Sequence, residues 1–337
     1  MNNWNFLNYN EDLKTTLENF KQAAIIHKKV KNDIQEMINS KKVLNMKYFD
    51  IANHIEGLIK THSNFDKNNK FKSGIGFPIG LSINECAAHW TPNPGEDRIW
   101  EQQDLVKIDY GVHVNGCIID SAFTTSLSND YNQLIEISKK STQLAIDNCG
   151  VDSVLGDIGE IVEEYIESQE VEIRGKIYPL KSTKDLTGHL IFPYLIHGPK
   201  SIPNFKIKYP VRMEENEFYA VETFPTTGNG RTNMDLECSH YMINSDRIVK
   251  NLDKEEKLPK RENYLFKKLK ETRQTLPFCR KWLKNEGIKG YQIPLKNLVQ
   301  MGIVNSYPPL MSQKDTFVAQ HEHTIFIGKD KVHNLSV

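Results

Sequence analysis

Residues 105–122 read LVKIDYGVHVNGCIIDSA, two runs of strand-forming residues separated by Asn-Gly at 115–116. Asn-Gly between two such runs is the strongest short-range signal for a β-hairpin with a two-residue turn. Counting outward from that turn pairs Gly111 with Asp120. Asp109, two residues from Gly111, lies on the same face of its strand. The two aspartates are therefore predicted to be diagonal neighbours, with Cα atoms roughly 7–8 Å apart.

The two aspartates of this hairpin suggest a cation site. Carboxylates aimed at one spot among valine and isoleucine repel each other, and burying them without a cation is costly. Two divalent metals roughly 3.5–4 Å apart would satisfy both carboxylates. The alternative is a solvent-facing hairpin with two unrelated aspartates, and the hairpin alone does not decide between these interpretations.

Two glutamates lie in apolar, strand-like runs: Glu222 in FYAVETF at 218–224 and Glu322 in FVAQHEHTIFI at 317–327. An ionisable residue in such a strand is usually paired or bound to a metal. Because side chains alternate along a strand, His321 and His323 point away from the face that carries Glu322. They are predicted to lie behind the site or at the surface. Sequence position alone does not rank the other candidate histidines, which are His89, His189, His197 and His240.

The composition is that of an ordinary globular protein. The 337 residues are 39% hydrophobic and 26% charged, and 43 Lys+Arg balance 43 Asp+Glu. The chain as a whole therefore gives no reason to expect nucleic acid or an acidic membrane as a partner. The N-terminus lacks a signal-peptide pattern, and no apolar run approaches the roughly 20 residues of a membrane-spanning helix. The five scattered cysteines favour reduced thiols in the cytoplasm.

The pattern along the chain indicates an α+β fold, and its length suggests about two domains. Short β-type runs punctuated by Gly, Pro and Asn extend from 75 to 127, after a polar loop or hinge at 61–72. Strands mixed with helices and hairpins, rather than repeated βαβ units, are typical of α+β proteins. Hydrophobic periodicity predicts four amphipathic helices, at 11–38, 46–60, 130–149 and 151–168.

The segment 248–312 differs from the rest of the chain in its charge. Between Lys250 and Gln300 there are 14 Lys+Arg and only 6 Asp+Glu. This excess is interpreted as a solvated face, with a nucleic-acid or ribosome contact as the alternative. Three short helices are predicted from the apolar groups Tyr264, Leu265 and Leu269, then Phe278, Trp282 and Leu283, then Leu295, Leu298 and Val299.

Six motifs of this sequence resemble those of the type 2 methionine aminopeptidases and occur in that family's order. The similarity runs from about residue 18 to residue 327. The helical segment 248–312, with YPPL at 307–310, is the feature that distinguishes type 2 from type 1 members. The six motifs are CAAHWTPN at 86–93, KIDYG at 107–111, IIDSAFT at 118–124, YAVETF at 219–224, ECSHYM at 237–242 and QHEHT at 320–324.

The resemblance implies an α+β pita-bread fold, with two similar halves related by a pseudo-twofold axis and metals between them. It also implies three regions along the chain. These are an N-terminal helical segment at 1–67, a catalytic domain formed by 68–247 and 313–337, and a helical, winged-helix-like insert at 248–312.

The resemblance implies a site for two divalent metal ions, with Asp120 and Glu322 bridging both. One imidazole among four carboxylates suits Mn, Fe(II), Co or Zn better than calcium. These metals would activate a water for attack on the first peptide bond. The implied ligands are Asp109, Asp120, His189, Glu222 and Glu322.

The resemblance assigns further roles around the metals. In the family, the glutamate that matches Glu222 passes a proton to the leaving amine. His89 and His197 match histidines that hydrogen-bond the peptide and the tetrahedral intermediate. The residues that match the methionine pocket are Phe77, Ile196, His240 and Tyr307.

The implied function is removal of the initiator methionine from nascent polypeptides whose second residue is small. The expected protein is a cytoplasmic monomer without membrane contact, and ribosome association is left open. One alternative is another pita-bread peptidase, such as a prolidase or aminopeptidase P, which should lack both HWTPN at 89–93 and the helical insert. A second alternative is a non-enzymatic pita-bread protein that binds nucleic acid or protein partners; such proteins have lost metal ligands.

The sequence departs from the family pattern in three places. Thr187 stands where asparagine is common, and Pro277 replaces a small residue before Phe278. After His189, the run Leu190-Ile191-Phe192-Pro193 stands where small or polar residues are usual. These departures bear on the shape of the pocket and on substrate preference rather than on the metal ligands.

Overall fold

The computed structural model describes residues 12–245 and 258–336. None of the helices in these two ranges is both long enough and apolar enough to cross a membrane. Seven α-helices lie in the described ranges: α1 Leu13–Asn39, α2 Tyr48–His62, α3 Asn132–Asp147, α4 Leu155–Glu167, α5 Lys260–Thr272, α6 Arg280–Asn285 and α7 Gln292–Gln300.

The strands of the described ranges are numbered β1 to β19 in chain order. The first ten are β1 Ser73–Ile75, β2 Gly80–Ile83, β3 Cys86–Ala88, β4 Leu105–Val114, β5 Cys117–Ser126, β6 Glu170–Ile173, β7 Lys176–Pro179, β8 Lys181–Ser182, β9 Thr187–Ile191 and β10 Ser201–Pro203. The remaining nine are β11 Phe218–Thr223, β12 Pro225–Thr226, β13 Asn233–Met234, β14 His240–Ile243, β15 Phe278–Cys279, β16 Val304–Tyr307, β17 Leu310–Met311, β18 His321–Ile327 and β19 Val332–Asn334.

The first half of the fold is built on the predicted hairpin of β4 and β5. Asn115 and Gly116 form its turn with φ of 47° and 80°, the left-handed pair that a type I′ turn requires. The predicted register is confirmed, since Gly111 lies opposite Asp120. Strands β1 and β2 pair with β4, and α1 and α2 bury their apolar faces against this sheet in one continuous core.

The second half is a five-stranded antiparallel sheet in the order β10-β9-β11-β18-β19. Helices α3 and α4 pack on it and share a second core with its inward side chains. Each half is therefore a sheet covered by two helices. This architecture confirms the predicted α+β class.

Side-chain hydroxyls join the two halves where β5 lies beside β18. Thr324 Oγ1 accepts from the amide of Asp120 at 2.8 Å and donates to its carbonyl at 2.7 Å. Ser121 donates to the carbonyl of Glu322 at 2.7 Å, and Thr124 to that of Gln320 at 2.7 Å. Because these bonds replace a backbone ladder, Asp120 and Glu322 are fixed relative to each other across the seam.

The described part of the segment 248–312 forms three helices, as predicted, and its strands β15 and β16 make a small sheet with β14, which precedes the segment. In that sheet β14 pairs with both β15 and β16, and α5, α6 and α7 enclose a separate small core beside it. Lys281 on α6 forms a buried ion pair at 2.7 Å with Glu56 on α2. Trp282 Nε1 donates to the same carboxylate at 2.8 Å, so this segment is attached to the N-terminal helices.

Some predicted details differ from the structure. Strand β18 begins at His321, because residues 317–320 bond instead to β5, to β12 and the residue after it, and to the turn between β2 and β3. Phe278 lies in β15 rather than in a helix, and Tyr264 on α5 is exposed. The predicted segments that include residues 1–11 and 246–257 fall partly outside the described residues.

The hairpin tip provides a test of how the two halves are held together. Gly116 and Gly175 both follow a left-handed residue in two-residue hairpin turns, with φ of 80° and 75°. An alanine methyl at Gly116 would overlap the ring of Tyr194, whereas at Gly175 nothing lies within 4 Å. Gly116→Ala should therefore lower the free energy of unfolding by roughly 1–3 kcal/mol more than Gly175→Ala, measured by denaturant titration. Equal losses would show that the Tyr194 contact does not hold the tip.

Candidate metal centre

One cavity between the two sheets brings together every side chain that the sequence singled out for a functional role. Its walls also include Gly80, Ala88, Leu186, Phe224, Pro277 and Gln320. The predicted residues that line it are Phe77, His89, Asp109, Asp120, His189, Ile196, His197, Glu222, His240, Tyr307 and Glu322.

The second sheet presents three of the proposed ligands on one face. Glu222 on β11 lies directly opposite Glu322 on β18. His189 on β9 lies opposite Ala220, two residues from Glu222 and therefore on the same face. Two acidic side chains directly opposite each other normally destabilise a sheet. Their presence here indicates that positive charge is required between them.

The hairpin adds the two aspartates from the other side of the cavity. Asp109 on β4 lies opposite Gly80, and a glycine there leaves room for the carboxylate, since a Cβ would sit 3.1 Å from the Asp109 Cβ. Asp120, His189 and Glu322 each offer a ligand atom within 4.8 Å of the others, and all three are buried. The His189 Nε2 atom lies 3.6 Å from Asp120 Oδ2.

The carboxylates are held in an environment that disfavours their charged forms. Burial raises the pKa of Asp109 to about 7. Burial, followed by the charges of the neighbouring carboxylates, raises the pKa values of Asp120, Glu222 and Glu322 well above their ordinary range. Asp109 Oδ1 and Glu322 Oε2 are buried without a hydrogen-bond partner among the described residues.

These features fit a pair of divalent cations. Four carboxylates balance the charge of two such ions, and the unpartnered oxygens are free to serve as ligands. A single imidazole among the oxygen donors suits a first-row transition metal. Without metal ions the carboxylates can lose their charge only by taking up protons, and several of them would then be neutral near pH 7.

Two histidines and a tyrosine face each other across the cavity. The ring of Tyr307 lies 5.8 Å from that of His89 and 5.7 Å from that of His197. The rings of His197 and His189 are perpendicular, with centroids 4.6 Å apart. Burial, and next the neighbouring His240 and His197, lower the pKa of His89 to about 3. His89 is therefore a neutral hydrogen-bonding group at pH 7.

The backbone holds His89 in an uncommon conformation. Its φ is 65°, a left-handed value that is uncommon outside glycine, although asparagine, aspartate and histidine adopt it more often than other residues do. Ser239 Oγ donates to the carbonyl of His89 at 3.2 Å and bonds Nδ1 of His240 at 2.9 Å. These contacts turn the imidazole toward the cavity at the end of β3 and fix His240 beside it.

Phe192 and Pro193, which depart from the family pattern, form part of a turn and not of the pocket wall. Phe192 and Leu195 exchange both backbone hydrogen bonds at 2.9 Å, with Pro193 and left-handed Tyr194 (φ 61°) between them. This tight turn reverses the chain after β9 and returns Ile196 and the following histidine to the cavity. Phe192 packs instead against the second core. Of the three departures, only Pro277 lines the cavity.

Sequence reasoning assigned no role to two residues that support the site. Gln320 Nε2 donates to Glu222 Oε2 at 3.0 Å. In the sequence, only its place in the QHEHT motif points to a role for Gln320. Lys107 is buried on the same strand face as Asp109, and burial lowers its pKa to about 7. Its Nζ donates to the carbonyl of Asn84 at 2.7 Å, holding the turn that leads into β3.

His321 and His323 lie behind the site, on the face opposite Glu322. His321 is buried and its Nδ1 lies 3.3 Å from Ser138 Oγ on α3. His323 Nδ1 lies 2.8 Å from Ser336 Oγ. Neither imidazole lines the cavity; His321 contacts helix α3, and His323 contacts the residues that follow β19.

The chain is similar in sequence and fold to known peptidases. The profile of Metallopeptidase family M24 matches residues 18–249. Methionine aminopeptidase 2-1 of Fusarium vanettenii is 41% identical over 323 residues, which cover 95% of this chain and 70% of the relative. The methionine aminopeptidase structure from Rickettsia prowazekii superposes with a TM-score of 0.62 at 19% identity, covering 96% of this chain and 98% of that one. The prolidase structure from Pyrococcus horikoshii gives 0.55 at 12%, covering 96% and 62%.

The raised carboxylate pKa values predict how metal binding depends on pH. A carboxylate whose pKa is higher in the folded than in the unfolded chain binds more protons when folded, so stability falls as pH rises. Divalent cations displace those protons. The difference in Tm between manganese-loaded and chelator-treated protein should therefore widen from pH 6 to pH 8, by differential scanning calorimetry. Glu322→Gln removes one such carboxylate and should reduce the widening. A constant difference across this range would contradict the electrostatic description of the site.

Proposed function

This chain belongs to Metallopeptidase family M24, and from that membership and its cavity we propose that it removes the N-terminal methionine of polypeptides whose second residue is small. Four carboxylates and one imidazole meet beside an apolar pocket in this cavity, and this arrangement supports the proposal. Such a donor set is suited to metal-dependent hydrolysis, and the pocket is suited to an unbranched apolar side chain.

The relatives separate this proposal from the two alternative functions. Similarity along nearly the whole chain to a methionine aminopeptidase 2 favours methionine over the proline-containing substrates of a prolidase, with which only the fold is shared. A non-enzymatic binding protein has no need for acids placed where they repel one another. The presence of all five ligand candidates in one cavity therefore supports an enzyme.

The proposed ligands for two divalent ions are Asp109, Asp120, His189, Glu222 and Glu322. Asp120 and Glu322 occupy the seam between the halves and would hold the ions there, together with His189. When bound, the ions supply charge that acidifies a water and polarises the scissile carbonyl. Mn, Fe(II), Co and Zn all fit a donor set of carboxylates with one imidazole.

The remaining chemistry falls to side chains of the cavity. Glu222, oriented by its hydrogen bond from Gln320, accepts the proton of the attacking water and delivers it to the leaving amine. His89, neutral at pH 7, donates a hydrogen bond to the oxyanion of the tetrahedral intermediate. His197 lies next to His189 and hydrogen-bonds the peptide on the side of the second residue.

Two separate apolar clusters explain the expected specificity. Phe77, Ile196 and Tyr307 belong to the first core and, with His240, enclose the proposed methionine pocket. Pro277 adds a rigid wall to that pocket. The second cluster, which includes Ala88, Leu186 and Phe224, faces the rest of the cavity. A large second residue would meet this cluster, so a small one is favoured.

We place this activity in the cytoplasm on nascent chains, for which five free cysteines are suitable.

Part of the excess positive charge in segment 248–312 is used in contacts within the fold. Lys281 is committed to Glu56, and Arg273 pairs with Glu286 at 2.6 Å while lying over the ring of Trp282. Exposed cations such as Lys284 and Lys289 fit a solvated face, and both the monomeric state and ribosome association stay predictions.

Cleavage of a peptide series Met-X tests the proposed function directly. With Gly, Ala or Val as X, kcat/KM should exceed that with Leu or Lys by roughly tenfold or more, since a large second residue meets the apolar cluster around Leu186. Replacing the N-terminal Met by Leu should also lower the rate, because a branched side chain fits the pocket less well. Equal rates for all X, or faster removal of Leu than Met, would indicate a broad aminopeptidase instead.

A further inference from the structure

A second cavity, separate from the catalytic one, lies between α2, the loop at 63–72 and the helices of the insert. Its volume is about 600 Å³, which is in the range of sites for small organic ligands. We propose that this cavity, the basic groove, binds a small anion that carries several phosphate groups. The inference is independent of the proposed function. Four of the side chains that line the groove are cationic and two are acidic: Lys60, Lys67, Lys70 and Arg273, with Glu56 and Glu286.

Both acids of the basic groove already have cationic partners. Glu56 forms its buried ion pair with Lys281 at 2.7 Å, and that lysine is not one of the four cations of the groove. Glu286 pairs with Arg273 at 2.6 Å, and the Nζ atom of Lys70 lies 3.9 Å from the same carboxylate oxygen. The acids are therefore neutralised without any contribution from the other two lysines of the groove.

Those two lysines, Lys60 and Lys67, are exposed and form no ion pair within 4.0 Å among the described residues. Lys60 lies in the last turn of α2, where a cation also offsets the negative end of the helix. Lys67 belongs to the loop and has no such role. The neighbouring carboxylate of Asp66 accepts the amide of Asn68 at 2.8 Å and does not border the groove. Two ammonium groups thus remain for a ligand.

Two further donors border the groove without an acceptor among the described residues. Arg273 Nε is buried and has no hydrogen-bond partner, although Nη1 of the same guanidinium donates to the carbonyl of Thr272 at 2.8 Å. His113 Nδ1 accepts the amide of Gly116 at 3.3 Å, which places the ring hydrogen on Nε2. Burial lowers the pKa of His113 to about 4, so the imidazole is a neutral donor at pH 7. The oxygens of a bound anion would satisfy such donors.

The remaining walls of the groove are apolar, and they include Phe65, Phe71 and Leu276. Separate ammonium groups bind phosphates as point charges, and a chain of phosphates can reach more than one of them. The aromatic side chains offer a surface for an organic part, such as a nucleotide base. Pro277 borders both the groove and the catalytic cavity, so a ligand in the groove lies behind one wall of that cavity.

Isothermal titration calorimetry on the full-length protein tests the basic groove. Chelator treatment keeps the phosphates from binding metal ions. Tripolyphosphate should bind as a single ion per chain. The double variant Lys60→Ala, Lys67→Ala should weaken this binding by roughly tenfold or more, because contacts between two cations and the phosphates are lost. An unchanged Tm shows that the variant is folded.

Lys284 and Lys289 provide the matched control, because both are exposed on or just after α6 and neither lines the groove. Their double alanine variant removes the same net charge and should weaken binding by less than about threefold. ATP separates the two sources of this chemistry. Equal affinities for ATP and tripolyphosphate indicate free polyphosphate, and tighter binding of ATP indicates a nucleoside polyphosphate.

Three results would overturn the assignment of the basic groove. The first is the absence of saturable tripolyphosphate binding. The second is an equal loss of affinity in both double variants, which would show a non-specific effect of net charge. The third is tighter binding of the peptide Glu-Glu-Glu-Glu than of tripolyphosphate, which would assign the groove to an acidic protein segment instead.

Discussion

The main physical constraint on this structure is the repulsion among four carboxylates that share one cavity, those of Asp109, Asp120, Glu222 and Glu322. Burial and mutual proximity raise all four pKa values, so a metal-free fold can keep them together only by holding protons. The cost of such an arrangement is several kcal/mol in general. A protein retains such a cluster of carboxylates where cations offset its charge, and the chemistry of the site follows from those cations. Rigid strands on both sides are needed, because loops would let the acids move apart.

The seam between the halves provides that rigidity. Thr324 bonds both backbone groups of Asp120, and Ser121 bonds the carbonyl of Glu322, so the two central acids are fixed by the same contacts that join the sheets. The turn at Tyr194 locks the hairpin tip through the carbonyl of Gly116 at 2.8 Å and also returns His197 to the cavity. The residues that join the two halves are therefore also the ones that position the side chains of the cavity.

Local signals in the sequence were sufficient for part of this description. The Asn-Gly turn defined the register that places Asp109 near Asp120, and apolar strands marked Glu222 and Glu322 as unusual. The α+β class and the family resemblance are confirmed. The opposition of Glu222 to Glu322 depends on pairing between strands about 100 residues apart, which periodicity does not encode. Gln320 and Lys107 act through contacts with distant residues, and the role of Phe192 became clear only from the turn that it closes.

Anomalous diffraction at the manganese absorption edge, from crystals of the manganese-loaded protein, tests whether the four carboxylates hold a pair of metal ions. Two peaks roughly 3.5–4 Å apart are expected in the cavity. One peak should lie within bonding distance of Asp120, His189 and Glu322, and the other should lie nearer to Asp109. A single peak, or peaks away from Asp120 and Glu322 at full manganese loading, would show that these carboxylates do not hold a pair of ions.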